Sequence, residues 1–86
     1  MSAGSIVMYT TNWCPYCERA RRLLKSKGLP FEEVDVESAP EKRAEMLSRS
    51  GRRTVPQIFI GDRHVGGSDD LAALNDAGEL DALTAR

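Results

Sequence analysis

The chain's two cysteines, Cys14 and Cys17, stand in the run Cys14-Pro15-Tyr16-Cys17, where a short apolar segment gives way to residues with helical spacing. This places Cys14 at a helix N-terminus, where the positive end of the peptide dipoles favours a thiolate, the nucleophilic form of cysteine. Cysteines in such settings titrate at roughly 3.5–7.5 rather than about 8.5. Cys14 is therefore the candidate nucleophile. Cys17 lies one turn along on the apolar stripe, so it is expected to be less exposed. There it can attack a mixed disulfide formed on Cys14 and release it as an intramolecular disulfide. Pro15 stiffens the pair, and Tyr16 is placed to flank the sulfur with an aromatic wall.

Other uses of the pair stay open on these residues alone. A zinc site needs four ligands, and the chain supplies two cysteines and one histidine, His64. Inert core cysteines are a second reading, because a free cysteine packs like a small hydrophobe. An iron–sulfur cluster shared with outside thiolates is a third.

Two further segments carry chemistry. In Arg53-Thr54-Val55-Pro56-Gln57, a proline directly before a strand is either a simple strand-initiating trans residue or a cis one. The cis form leaves the preceding backbone free to pair with an extended ligand. Gly66-Gly67-Ser68-Asp69-Asp70 reads as a tight turn into a helix. Its backbone N–H groups can hold a carboxylate and its aspartates an ammonium, although the same residues also make a plain helix cap.

The elements that must position these residues follow from periodicity and punctuation. Ser5–Thr10 is a buried strand, with Ile6, Val7, Met8 and Tyr9 in one apolar run. Thr11, Asn12 and Trp13 form a loop, with Trp13 either a substrate contact or loop packing. A helix opens at Pro15, carries Tyr16, Cys17, Ala20, Leu23 and Leu24, and stops at Gly28. Phe31–Val36 alternates apolar and acidic residues, as an edge strand does. Ser38 with Glu41 resembles a capping box, Pro40 fits the first turn, Ala44 and Leu47 would face the core, and Gly51 closes this helix. Gln57–Ile60 and Arg63–Val65 make a hairpin around Gly61 and Asp62, which leaves His64 exposed and without a role. Ser68 to Asp70 open a third helix bearing Leu71 and Leu74, stopped by Gly78, and Leu80 and Leu83 mark a last turn or two. The order β-α-β-α-β-β-α describes an α/β fold, a four-stranded mixed sheet with helices on both faces.

Bulk properties narrow the function classes. Eighty-six residues, 41% hydrophobic and 29% charged, suit one domain over residues 1–86. A net charge of -1 argues against a general nucleic-acid binder. Arg19, Arg21, Arg22, Lys25 and Lys27 nevertheless crowd the first helix, and Asp69, Asp70, Asp76, Glu79 and Asp81 make the C-terminal stretch acidic. No run approaches the roughly 18 apolar residues of a membrane span, and residues 1–5 lack the features of a secretory leader. The expected setting is a reducing cytoplasm, in which closely spaced cysteines serve catalysis or metal binding rather than stapling.

Together Cys14-Pro15-Tyr16-Cys17, Thr54-Val55-Pro56 and Gly66-Gly67-Ser68-Asp69-Asp70 resemble the corresponding motifs of the glutaredoxins, within a likeness running from Ile6 to Leu83. Arg19, Ala20, Leu23, Leu24, Lys27 and Gly28 are similar to the small bacterial dithiol branch. The resemblance implies a thioredoxin-like fold and glutathione-dependent reduction of protein disulfides and glutathionylated proteins, by a monomer with glutathione as co-substrate and no bound cofactor. It implies that Cys14 attacks, that Thr54 and Val55, next to a cis Pro56, pair through the Val55 backbone with the cysteinyl part of glutathione, and that Tyr16 borders the groove. Ser68, Asp69 and Asp70 would hold the γ-glutamyl end. One departure stands out: three residues before the nucleophile the family usually has a lysine, and this chain has Thr11. Arg43 or Arg53 is a candidate to meet the glycyl carboxylate instead.

Overall fold

The apolar run after Ser5 becomes β1, Ile6–Thr10, one of two inner strands of a four-stranded sheet ordered β2-β1-β3-β4. A computed structural model describes residues 5–12 and 14–84; Trp13 lies outside them. From β1 the chain passes through α1 (Pro15–Ser26) to β2 (Phe31–Asp35), which lies parallel to β1 with Ile6 opposite Phe31 and Thr10 opposite Asp35. After α2 (Pro40–Ser50), β3 (Gln57–Ile60) runs antiparallel to β1, and β4 (Arg63–Gly66) folds back on β3. The chain ends in α3 (Ser68–Asp76) and the short α4 (Glu79–Thr84).

Alternation along β1 and β3 divides the sheet into two faces. Ile6, Met8, Ile58 and Ile60 point to one side and pack with Ala20 and Leu24 of α1, Leu71 and Leu74 of α3, and Leu80 of α4. Tyr9 and Phe59 point to the other, where a smaller cluster with Val36 and Met46 lies under α2. Both faces of the inner strands are covered, which is why their sequence reads as a continuous apolar run. β2 sits at the edge, as its acidic alternation requires, and Val36 N–H extends its pairing by donating to Thr10 O at 3.0 Å.

Four local expectations are corrected. Ser38 does not cap α2: Asp35 Oδ1 accepts from the backbone N–H groups of Glu37 at 2.8 Å and Ser38 at 3.4 Å. That turn makes Ala39 the N-cap, and its carbonyl receives Lys42 and Arg43. Ala44 and Leu47 are exposed, Leu47 by 40%, and Met46 is the helix's buried residue. Tyr16 leaves the apolar stripe of α1, which is formed by Cys17, Ala20 and Leu24. His64 is half-buried, stacked on Phe59 with ring centroids 4.9 Å apart.

Candidate active site

Cys14 is the N-cap of α1, in extended conformation, with Pro15 beginning the helix and no side chain capping its first turn. Those first-turn N–H groups are left to face the Cys14 side of the helix end, the arrangement that stabilises negative charge. The Cys14 thiol is partly exposed and donates a hydrogen bond of 3.6 Å to Val55 O. The Val55–Pro56 peptide is cis. The nucleophile candidate and the Thr54–Pro56 segment, 40 residues apart in sequence, therefore form one wall of a groove.

Cys17 is wholly buried, and its burial pushes the thiol up to about 11. The neighbouring Cys14 sulfur adds to that rise, while a hydrogen bond from the Thr11 backbone and the charge of Arg21 oppose it. The two cysteines thus occupy unlike surroundings despite their spacing. Tyr16 is 53% exposed at the mouth of the site, its ring beneath the Arg19 guanidinium at 5.6 Å.

The second wall is the turn from β4 into α3. Asp70 accepts a hydrogen bond from Gly67 N–H at 2.9 Å and lies 3.6 Å from Arg52 Nη1. Gly66 has φ 119, and a Cβ there would run into the Asp70 carboxylate, so only glycine fits. At Gly67 a Cβ would come within 3.7 Å of Pro56 O, which places this turn directly beside the first wall. Ser68 is buried in the first turn of α3, and Asp69 and Asp70 are exposed beside it.

One feature escaped the sequence reading. Gln57, the first residue of β3, is polar yet wholly buried: its Nε2 donates to Thr54 O at 2.9 Å and Thr54 Oγ1 at 3.2 Å, and its Oε1 lies 2.6 Å from His64 Nε2. The signal was a glutamine between Pro56 and the apolar Ile58, in a hairpin that returns a histidine. Burial, then Arg52, hold His64 below its ordinary value, with Asp70 pulling the other way. The sequence reading offered Arg43 or Arg53 in place of the lysine absent at Thr11. Arg21 reaches the Thr11 carbonyl at 3.5 Å, but its Nε is engaged by Glu33 at 2.8 Å and its Nη1 by Glu18 at 3.1 Å. Arg43 and Arg53 instead line one open cleft of about 380 Å³ with Met46 and Leu47. Arg53 directly precedes Thr54, so this cleft adjoins the first wall. Among the described residues no group of three or more His, Cys, Asp or Glu side chains is gathered to hold a metal ion.

Comparison with known proteins agrees with this geometry. The glutaredoxin family model matches residues 6–65. A glutaredoxin of Pseudomonas aeruginosa is 58% identical over 78 residues, covering 91% of this chain and 93% of that protein. The solution structure of glutaredoxin from Brucella melitensis superposes with a TM-score of 0.83 at 56% identity, over 98% of this chain and 91% of that one. The crystal structure of a buckwheat glutaredoxin–glutathione complex superposes with a TM-score of 0.86 at 27% identity, over 96% and 78%. The sheet and helices are those of the thioredoxin-like fold. By its sequence, its architecture and the match over residues 6–65, this chain belongs to the glutaredoxin family.

Proposed function

We propose that Cys14 is the nucleophile through which this glutathione-dependent thiol–disulfide oxidoreductase reduces glutathione mixed disulfides and protein disulfides, and that Cys17 is its resolving thiol. The observation that carries this reading is the place of the Cys14 sulfur: at the start of α1, partly exposed, and 3.6 Å from the backbone of the cis-Pro56 segment. On a glutathione mixed disulfide, the Cys14 thiolate attacks the glutathione sulfur and the S–S bond breaks. The substrate leaves as a thiolate that takes a proton from water. A second glutathione thiolate then attacks the Cys14-bound glutathione sulfur, giving oxidised glutathione and restoring the Cys14 thiolate.

On a protein disulfide, Cys17 completes the first half. It loses its proton and attacks the Cys14 sulfur, the second substrate sulfur leaves, and a Cys14–Cys17 disulfide remains for two glutathiones to reduce. The high position of the Cys17 thiol keeps it protonated at neutral pH. In the mixed disulfide the charge on Cys14 is gone, so one of the causes of that high position is removed when Cys17 is needed.

Glutathione lies along the groove in this reading. Its cysteinyl backbone pairs with Val55, and Tyr16, Thr54 and Pro56 border it. Its γ-glutamyl end meets the N–H groups at Ser68 with Asp69 and Asp70, and its glycyl carboxylate meets Arg43 and Arg53 across the cleft. The buckwheat protein that binds glutathione with the same architecture supports this placement. Among the described residues no helix is long and apolar enough to cross a membrane. A monomer working in a reducing cytoplasm suits this chemistry.

The test is turnover of a glutathione mixed disulfide of a small thiol, with glutathione and its reductase supplied. Wild type is expected to turn over. Cys14→Ser is expected to fall to the uncatalysed rate, while Cys17→Ser keeps this activity and loses that on a protein disulfide. Activity persisting in Cys14→Ser would overturn the assignment.

A further inference from the structure

Thr54 and the β4 side of the groove are joined underneath by two side chains, Gln57 and His64. Gln57 is wholly buried, and its partners determine its orientation. Thr54 O is a carbonyl and can only accept, so the atom 2.9 Å from it is the amide nitrogen. The same NH₂ group reaches Thr54 Oγ1 at 3.2 Å. The amide oxygen must then be the atom 2.6 Å from His64 Nε2, and an acceptor there requires a donor opposite. His64 therefore carries its hydrogen on Nε2. Its ring is held flat on Phe59, 4.9 Å between centroids and 29° between planes, opposite it in the β3–β4 register.

The chain of hydrogen bonds has one direction, from His64 Nε2–H to Gln57 Oε1, then from Gln57 Nε2–H to Thr54. Thr54 Oγ1 accepts the last of them. An accepting hydroxyl keeps its own hydrogen free to donate elsewhere, and Thr54 is exposed. A reversed chain would present a lone pair there and repel an anionic or carbonyl oxygen.

We propose that His64 and Gln57 are positioning residues of the glutathione groove: together they pin the Thr54–Val55 wall to β4 and present the Thr54 hydroxyl to the ligand as a hydrogen-bond donor. The inference rests on the groove being the glutathione site. It assigns to the pair a selectivity for ligands that carry an acceptor beside Thr54, a carbonyl or carboxylate oxygen of a peptide, over simple disulfides that carry none. Neither residue takes part in bond making at sulfur.

The experiment has two independent arms. In the first, ¹⁵N shifts and couplings of the His64 ring are recorded in the reduced wild-type protein between pH 7 and 8. Hydrogen on Nε2 with a bare Nδ1 is expected, and hydrogen on Nδ1 would overturn the proposal whatever the activity. In the second, His64→Phe, which keeps the ring on Phe59 and removes the donor, is compared with His64→Gln, which keeps a donor and removes the ring. Each is assayed on a glutathione mixed disulfide of a small thiol and on a small disulfide without glutathione. His64→Phe is expected to raise KM for the glutathione substrate about fivefold to tenfold, the size of one lost neutral hydrogen bond, with kcat and the small-disulfide rate unchanged. His64→Gln should recover most of that loss. A KM that follows the ring rather than the donor, or a fall in kcat on both substrates, would reduce the pair to packing and overturn the proposal. Wild type showing no preference for the glutathione substrate would instead count against the groove assignment itself.

Discussion

The two faces of the sheet are closed in different ways. On the side of α1, α3 and α4, nine buried apolar residues meet one another with no polar partner among them. On the side of α2, four buried residues are closed by charge: Arg49 lies 4.1 Å over the Phe59 ring and donates to Tyr9 Oη at 2.8 Å, while Tyr9 donates to Glu45. Cys17, on the buried stripe of α1 with Ala20 and Leu24, is held as a thiol by its burial. The charged face borders the Arg43–Arg53 cleft beside Thr54. The same sheet is thus closed on one side by apolar contact and on the other by an arginine–tyrosine–glutamate network.

Substitutions across the two faces grade this contrast. Leu71→Ala, in the dry cluster, is expected to cost about 3 kcal/mol through lost burial and the cavity left behind. Tyr9→Phe, on the charged face, removes the hydroxyl that Arg49 and Glu45 share and should cost about 1–2 kcal/mol. Leu47→Ala, exposed on α2, should stay within about 0.5 kcal/mol. Urea midpoints rank the three, and a Leu47 effect as large as that of Leu71 would erase the distinction between the faces.

A smaller effect sharpens the functional half. Replacing both Arg43 and Arg53 by Ala should leave the urea midpoint unchanged. It should raise KM for a glutathione mixed disulfide about tenfold at low salt, less as salt is added, since exposed charges are screened. An unchanged KM would send the glycyl carboxylate elsewhere.

The same contrast explains what could be read from sequence. Apolar spacing located α1 and α3 and, Tyr16 apart, the residues that face the core, because hydrophobic contacts with the sheet decide that face. On α2 it chose Ala44 and Leu47, because apolar type is a poor guide where Arg49 and Glu45 cover the cluster. Ser38 failed as a cap since Asp35, three residues earlier, formed a turn of its own. At the site, Cys14, Thr54, Val55, Pro56 and Ser68 to Asp70 were visible as local motifs with a backbone logic. Gln57 and His64 were not, because their meaning lies in a contact across the hairpin that neither residue announces alone.

The proposed division of roles between the two cysteines rests on their unlike surroundings at the start of α1. Its most direct measurement is brief alkylation of the fully reduced protein with iodoacetamide at pH 7, with each cysteine read separately by mass spectrometry. Cys14 is partly exposed at the groove and Cys17 is wholly buried and held as a thiol to about 11, so label is expected on Cys14 alone, with Cys17 reacting only as the pH climbs toward that value. Equal labelling of both at pH 7, or label on Cys17 first, would contradict it.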